Sequence, residues 1–130
     1  MQEPKTVTII VVDDDASIRR ALQMQLQTLG FSVQTFSSAE ETLAQELPSI
    51  NACLLLDVYM PGMSGLELCR SLAASGRQLP IILMSGRNDT QTKQIMRRAK
   101  PTAFLFKPFD ENSLLRTIRK ALHSLPKLPP

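Results

Sequence analysis

Apolar residues in this chain fall into short runs, separated by stretches in which apolar and polar positions alternate with a helical period. Thr6 to Val12, TVTIIVV, is β-branched almost throughout and predicts a strand. Ile18, Leu22, Leu26 and Leu29 follow at helical spacing behind Asp15, an N-cap residue, and Gly30 stands where a helix ends. Phe31 to Phe36, FSVQTF, alternates as a half-exposed edge strand does. Ser37 and Glu40 have capping-box spacing ahead of a short helix carrying Ala39, Leu43 and Leu47, which Pro48 ends. Cys53 to Leu56 has no polar alternation, as in a strand covered on both faces, and it stops abruptly at Asp57.

The second half repeats the pattern. Ser64 and Glu67 have capping-box spacing, with Met63 and Leu68 placed for a hydrophobic staple, and the helix they open buries Leu66, Cys69 and Leu72 or Ala73. Pro80 to Met84 predicts another buried strand, closed by Ser85-Gly86. The next helix, about Thr90 to Ala99, is poorly amphipathic: Ile95, Met96 and Ala99 are nearly all it can bury, so it should be held weakly. Ala103 to Phe106 leads into Lys107-Pro108, and Asp110 caps a last helix with Leu114, Leu115, Ile118, Leu122 and Leu125 inward. Five strands alternating with five helices predict an α/β fold, a doubly wound five-stranded parallel sheet with helices on both faces. Right-handed crossovers favour the flavodoxin-like order 2-1-3-4-5.

At 130 residues the chain makes one domain, expected over 7–125, with 1–6 a flexible N-terminus and 126–130 the start of a Pro-rich linker or tail. No apolar run reaches the roughly 18 residues that span a bilayer, and MQEPKT lacks the form of a secretory signal, so a cytoplasmic protein without membrane association is expected. Cys53 and Cys69 read as small core residues, and His123, the only histidine, falls near a helix C-terminus. Zinc chemistry and histidine-based nucleophilic catalysis are thereby disfavoured. The net charge of +3 is mild. Arg97, Arg98 and Lys100, then Arg116, Arg119 and Lys120, form basic clusters that read first as solvated helix faces. No aromatic residue interleaves with them in the sequence as a base-stacking surface requires.

In a parallel sheet all strands present their C-terminal ends on one side. Strand one delivers Asp13 and Asp14 there, strand three Asp57, strand four Ser85 and strand five Lys107. Crowded carboxylates repel one another, so a bound cation is the natural neutraliser, and an all-oxygen donor set suits Mg²⁺. Asp57 can then act as a nucleophile toward phosphorus. Lys107 and the metal would spread the charge of the transferring group, with Ser85 donating a hydrogen bond.

These residues resemble a known family, the receiver domains of two-component response regulators. The resemblance covers about Val7 to Leu125. It rests on Asp13-Asp14 after an apolar strand, on Asp57 with Met60-Pro61-Gly62-Met63-Ser64-Gly65, on Ser85-Gly86 and on Lys107-Pro108-Phe109. It implies that Asp57 is the phosphoacceptor, Asp14 a direct Mg²⁺ ligand and Asp13 an indirect one, with the backbone carbonyl of Tyr59 completing the protein ligands. It implies Ser85 as the hydroxyl switch residue, Lys107 as the phosphate-binding cation, Phe104 as a rotating switch aromatic and a cis Lys107-Pro108 bond. Where the family has Ala-Gly-Ala before strand five, this chain has Ala99-Lys100-Pro101, which changes the connection from helix four. Tyr59 and Arg87 flank the site where the family carries smaller or acidic residues.

The function expected is a non-enzymatic signalling module. A histidine kinase or phosphotransfer protein supplies the phosphoryl group, and the altered domain switches an output. The motifs most resemble receivers of helix-turn-helix transcription regulators, in which DNA is contacted only through a further domain. A homodimer through helix four, strand five and helix five is a possible output form, and a free-standing receiver that binds a target protein is the rival. A small Mg²⁺-dependent phosphatase with an aspartate nucleophile is the alternative from another class. It lacks a second acid at position 59, which is Tyr, and any insertion to form a cap. A nucleotide-binding domain is weaker still, since no Gly-rich phosphate loop follows strand one.

Overall fold

A computed structural model describes residues 6–123. Five strands, β1 (Thr8–Val12), β2 (Ser32–Phe36), β3 (Ala52–Asp57), β4 (Ile81–Ser85) and β5 (Ala103–Phe106), form one sheet in the order β2-β1-β3-β4-β5. Every adjacent pair is parallel. Five helices connect and follow them: α1 (Ala16–Thr28), α2 (Ala39–Leu43), α3 (Gly65–Ala74), α4 (Thr90–Ala99) and α5 (Glu111–His123). The expected fold class and strand order are those observed. Leu125 and the tail at 126–130 lie outside the described residues, as do residues 1–5 of the expected N-terminal segment.

Alternating side chains of the central strands feed two cores. Ile9, Val11, Cys53, Leu55, Ile82 and Met84 face α1 and α5, which contribute Leu22, Leu26, Leu114 and Ile118. Ile10, Val12, Leu54, Leu56 and Leu83 face α2, α3 and α4, which contribute Ala39, Leu68, Leu72 and Met96. All six residues of β3 are buried, as its unbroken apolar run requires, whereas β2 on the edge alternates between exposed and half-buried. Both cysteines lie within these cores, and burial pushes the Cys53 thiol up to about 12 and the Cys69 thiol to about 11. They are packing residues.

Local signals place most helix ends. Asp15 accepts from the Ser17 and Ile18 amides at 2.9 and 3.3 Å, and Gly30 takes φ +98° just beyond α1. Ser64 and Glu67 form a complete capping box at 3.1 and 3.2 Å. Asp110 accepts from the Ser113 amide at 2.7 Å to start α5.

Three local expectations are corrected. The cap of α2 is Ser38, which accepts from the Glu41 amide at 3.0 Å, so the capping pair sits one residue later than Ser37 and Glu40. Ser37 instead donates to Glu41 Oε2 at 2.7 Å, and Glu40 reaches the Met63 amide at 3.4 Å. That shift turns Leu43 outward and puts Thr42 inside, its hydroxyl donating to the Ser38 carbonyl at 2.8 Å. The helix ends at Leu43, so Leu47 is buried from the connection that follows it. Second, α4 carries a full inward stripe, because buried Thr92 joins Met96 and half-buried Ile95 and Ala99 at helical spacing. Third, Lys100 adopts the left-handed conformation (φ 50°, ψ 52°) that a glycine would take without steric cost.

Candidate functional site

Strand register builds the site. Val12 pairs with Leu56, so the next residues, Asp13 and Asp57, leave neighbouring central strands side by side. Ser85 pairs with Phe106, which brings Lys107 off β5 beside the end of β4. The Lys107-Pro108 bond is cis. Carboxylate oxygens of Asp13, Asp14 and Asp57 all lie within 4.8 Å of one another, with Asp13 and Asp57 buried and Asp14 exposed. Lys107 Nζ donates to Asp13 Oδ2 at 2.8 Å and stands 3.6 Å from Asp57 Oδ2. Ser85 is fully buried, and its Oγ accepts from the Arg87 amide at 2.9 Å. Five residues from four strand ends therefore meet at one edge of the sheet.

The electrostatics are those of an acid held against its preference. Burial pushes the Asp57 carboxyl up to about 6, with Lys107 opposing and Asp13 adding to the rise. One ammonium faces three carboxylates. The oxygen-only donor set, short of positive charge, fits a hard divalent cation of the Mg²⁺ kind.

Beside this cluster runs a chain of contacts into α4. The Arg87 guanidinium lies 4.8 Å from the centroid of the Tyr59 ring and bridges to Asp89 at 2.7 Å. Asp89 caps α4 by accepting from the Thr92 amide at 2.8 Å; hydrogen bonding to Thr92, then to Arg87, lowers its carboxyl to about 2. Tyr59 Oη and Thr92 Oγ1 share a hydrogen bond at 2.7 Å. Tyr59 and Arg87, expected to flank the site, thus also tie the loops after β3 and β4 to the start of α4. Phe104, 43% exposed, stands on β5.

Two contributors escaped the sequence reading. Arg19 donates from Nη1 to the Asp13 backbone carbonyl at 2.8 Å, fixing the acidic turn from the first turns of α1. A cation one and a half turns after an acidic pair was the available signal. Thr92 has no signal of its own, since a threonine in a polar helix reads as surface until Tyr59 is found above it.

Fold and site define a single α/β module whose chemistry lies at the carboxyl edge of its sheet. Residues 9–119 match the response regulator receiver domain, and the chain belongs to that family. It is 41% identical over 119 residues to the response regulator protein TodT of Pseudomonas putida, covering 92% of this chain and 52% of that protein. The transcriptional regulatory protein FixJ of Azorhizobium caulinodans is 34% identical over 119 residues, 92% of this chain and 56% of that protein. The crystal structure of FixJ-N superposes with a TM-score of 0.83 at 31% identity, covering 96% of this chain and 100% of that one. The chain spans about half the length of these curated relatives. Among the described residues no helix is long and apolar enough to cross a membrane.

Proposed function

We propose that Asp57 accepts a phosphoryl group from the phosphohistidine of a histidine kinase or phosphotransfer protein. The P–N bond of the donor breaks as an Asp57 Oδ–P bond forms, and the imidazole nitrogen leaves with its electron pair. The observation that carries this reading is the convergence of Asp57 with Asp13, Asp14 and Lys107 at adjoining strand ends. Asp13, Asp14, Asp57 and the backbone carbonyl of Tyr59 would hold Mg²⁺, which when bound offsets the negative charge of carboxylates and phosphoryl oxygens. Lys107 supplies a mobile cation to the transferred group, and Ser85 a hydroxyl hydrogen bond.

The signal leaves toward α4 and β5. A phosphoryl group on Asp57 offers new acceptor oxygens, Ser85 moves to donate to one, and Phe104 turns toward the space it vacates. The face of α4, β5 and α5 then presents an altered surface to a second copy or to a target. The module works in the cytoplasm without turnover of an external substrate, catalysing at most its own phosphorylation and dephosphorylation. In a longer protein the output would be transcription regulation, with DNA contacted by a further domain. The free-standing alternative binds a target protein directly.

Intact-mass measurement after incubation with acetyl phosphate and Mg²⁺ tests the core of this. One phosphoryl group should add to the native chain and none to Asp57→Asn, and chelation should prevent the addition. Undiminished labelling of the variant would sink the assignment. Sustained hydrolysis of a generic phosphate ester would replace it with the phosphatase reading.

A further inference from the structure

We propose that Arg19 is a positioning residue for the divalent cation, holding from α1 the peptide unit that presents Asp14 to it. The role rests on the Mg²⁺ site proposed above. The carboxylates of that site stand on unequal supports. Asp57 ends β3, and the next residue, Val58, still donates its amide to the Met84 carbonyl at 3.0 Å. Asp13 is fully buried and committed at every polar atom. Its amide donates to the Phe36 carbonyl at 3.2 Å, Oδ1 accepts from the Asp15 amide at 2.9 Å, and Oδ2 accepts from Lys107 at 2.8 Å. Its carbonyl accepts from Arg19 Nη1 at 2.8 Å. Asp14 is the reverse. It is exposed, lies beyond the last paired residue of β1, and among the described residues no hydrogen bond or ion pair engages its carboxylate. The acid most open to a cation is thus the one with the least support of its own.

Arg19 supplies that support. The Asp13 carbonyl and the Asp14 amide share one planar peptide unit, so the bond from Arg19 sets the plane from which the Asp14 side chain departs. The anchor is itself firm. The Arg19 amide donates to the Asp15 carbonyl at 3.0 Å, and Asp15 caps the same helix, so turn and helix brace each other. Charge alone gives Arg19 no such role. Among the described residues the ion pairs are Arg87 with Asp89 and Lys107 with Asp13 and Asp57, so Arg19 spends its guanidinium on a carbonyl. An unquenched cation beside the cluster repels a dication. Removing Arg19 therefore has opposite consequences under the two accounts: lost repulsion tightens Mg²⁺, and a lost brace weakens it. The brace is the larger effect. Water screens a half-buried guanidinium, whereas Mg²⁺ demands near-octahedral geometry, and groups that orient its ligands are worth roughly tenfold or more in affinity.

Mg²⁺ titration of the unphosphorylated full chain, followed by backbone amide NMR shifts, tests this. Arg19→Met keeps an aliphatic stem but no donor, and its Mg²⁺ dissociation constant should rise on the order of tenfold. Arg19→Lys, which retains a donor and the charge, should recover most of the loss. Arg20→Met removes the neighbouring exposed cation and should leave the constant in place. Urea midpoints under chelation read folding separately, and a merely structural brace would move that midpoint without moving the Mg²⁺ constant. Unchanged or tighter Mg²⁺ binding by Arg19→Met would overturn the role, and so would an equal loss in Arg20→Met. Should Arg19→Met not fold, Arg19→Gln carries the same test, since its terminal nitrogen falls two bonds short of the carbonyl. A native chain without any Mg²⁺ response would sink the metal site and this role with it. A native response that the Arg19 variants leave untouched would sink the role alone.

Discussion

Helices α1 and α4 follow strands of the same sheet, yet they are held by different physics. Leu22 and Leu26 fasten α1 by apolar burial, a non-directional force that ties the helix to the core as a whole. Helix α4 packs on the core through Met96, with half-buried Ile95 and Ala99, and its buried Thr92 adds a hydroxyl bonded to Tyr59, two residues beyond Asp57. Its N-cap, Asp89, is bridged to Arg87, two residues beyond Ser85. A helix fastened by directional bonds moves with the groups on which those bonds end. The difference predicts that a change in side chains at the acid cluster reaches α4 through Tyr59 and Arg87. Helix α1 is tied to the cluster through Asp13, by way of Arg19 and Asp15, and otherwise by apolar burial.

The comparison breaks most readily at Leu26. Leu26→Ala should lower global stability by about 3 kcal/mol through lost transfer energy and a cavity, seen as a shifted urea midpoint. No comparable loss is expected from any single change in the polar chain to α4. A smaller effect, of opposite sign, is expected from Asp57→Asn with metal chelated. The native Asp57 value of about 6 lies above the ordinary 3.8, so the folded state binds more protons between those values. Its contribution is therefore full below about 3.8 and drains away as pH rises through 6. At neutral pH the variant should be more stable by about 1–2 kcal/mol, less than the full shift implies because water at the mouth screens it. It should also lose that pH dependence. A variant less stable than the native chain under chelation would mean that the acids are not strained.

Tyr59→Phe sharpens the contrast. It strands the buried Thr92 hydroxyl at a cost of about 1 kcal/mol, and amide exchange should quicken along α4 while α1 stays protected. Combined with Thr92→Val, the loss should be less than the sum of the two single changes. Additive losses would show that the bond does not couple them. Least in size, Lys100→Gly should stabilise by roughly 0.5 kcal/mol, relief of the left-handed lysine being partly offset by a freer unfolded chain. Thermal melts at low ionic strength would read it.

Strands, their order and the acid cluster were legible because each rests on a strong local signal. Cys53 to Leu56 has no polar position to expose, and Ser64 with Glu67 fits a single helix start. The α2 cap was misplaced by one residue because Ser37 and Ser38 are adjacent candidates, each with a glutamate three residues on, and only packing of Ala39 chooses between them. Thr92 was invisible for a different reason. Its partner, Tyr59, comes from another element, so the cause of its burial is tertiary. Lys100 shows the converse. No glycine stands there in the sequence, yet the backbone at Lys100 takes the left-handed conformation that glycine adopts without steric cost.

One methyl group measures how finely the phosphoacceptor is set. A Cβ added at Gly65 would stand 2.5 Å from the Asp57 carbonyl oxygen and 3.1 Å from Val58 Cα, closer to the oxygen than real Cβ atoms come. The first residue of α3 is thus seated directly on the backbone of the residue whose carboxylate faces Lys107. Any larger residue there must push α3 away or drive the end of β3 along, and the 3.6 Å gap between Asp57 and Lys107 would take up the error. A side chain at Gly65 would therefore be felt as a change in the spacing of charges on the far side of the strand.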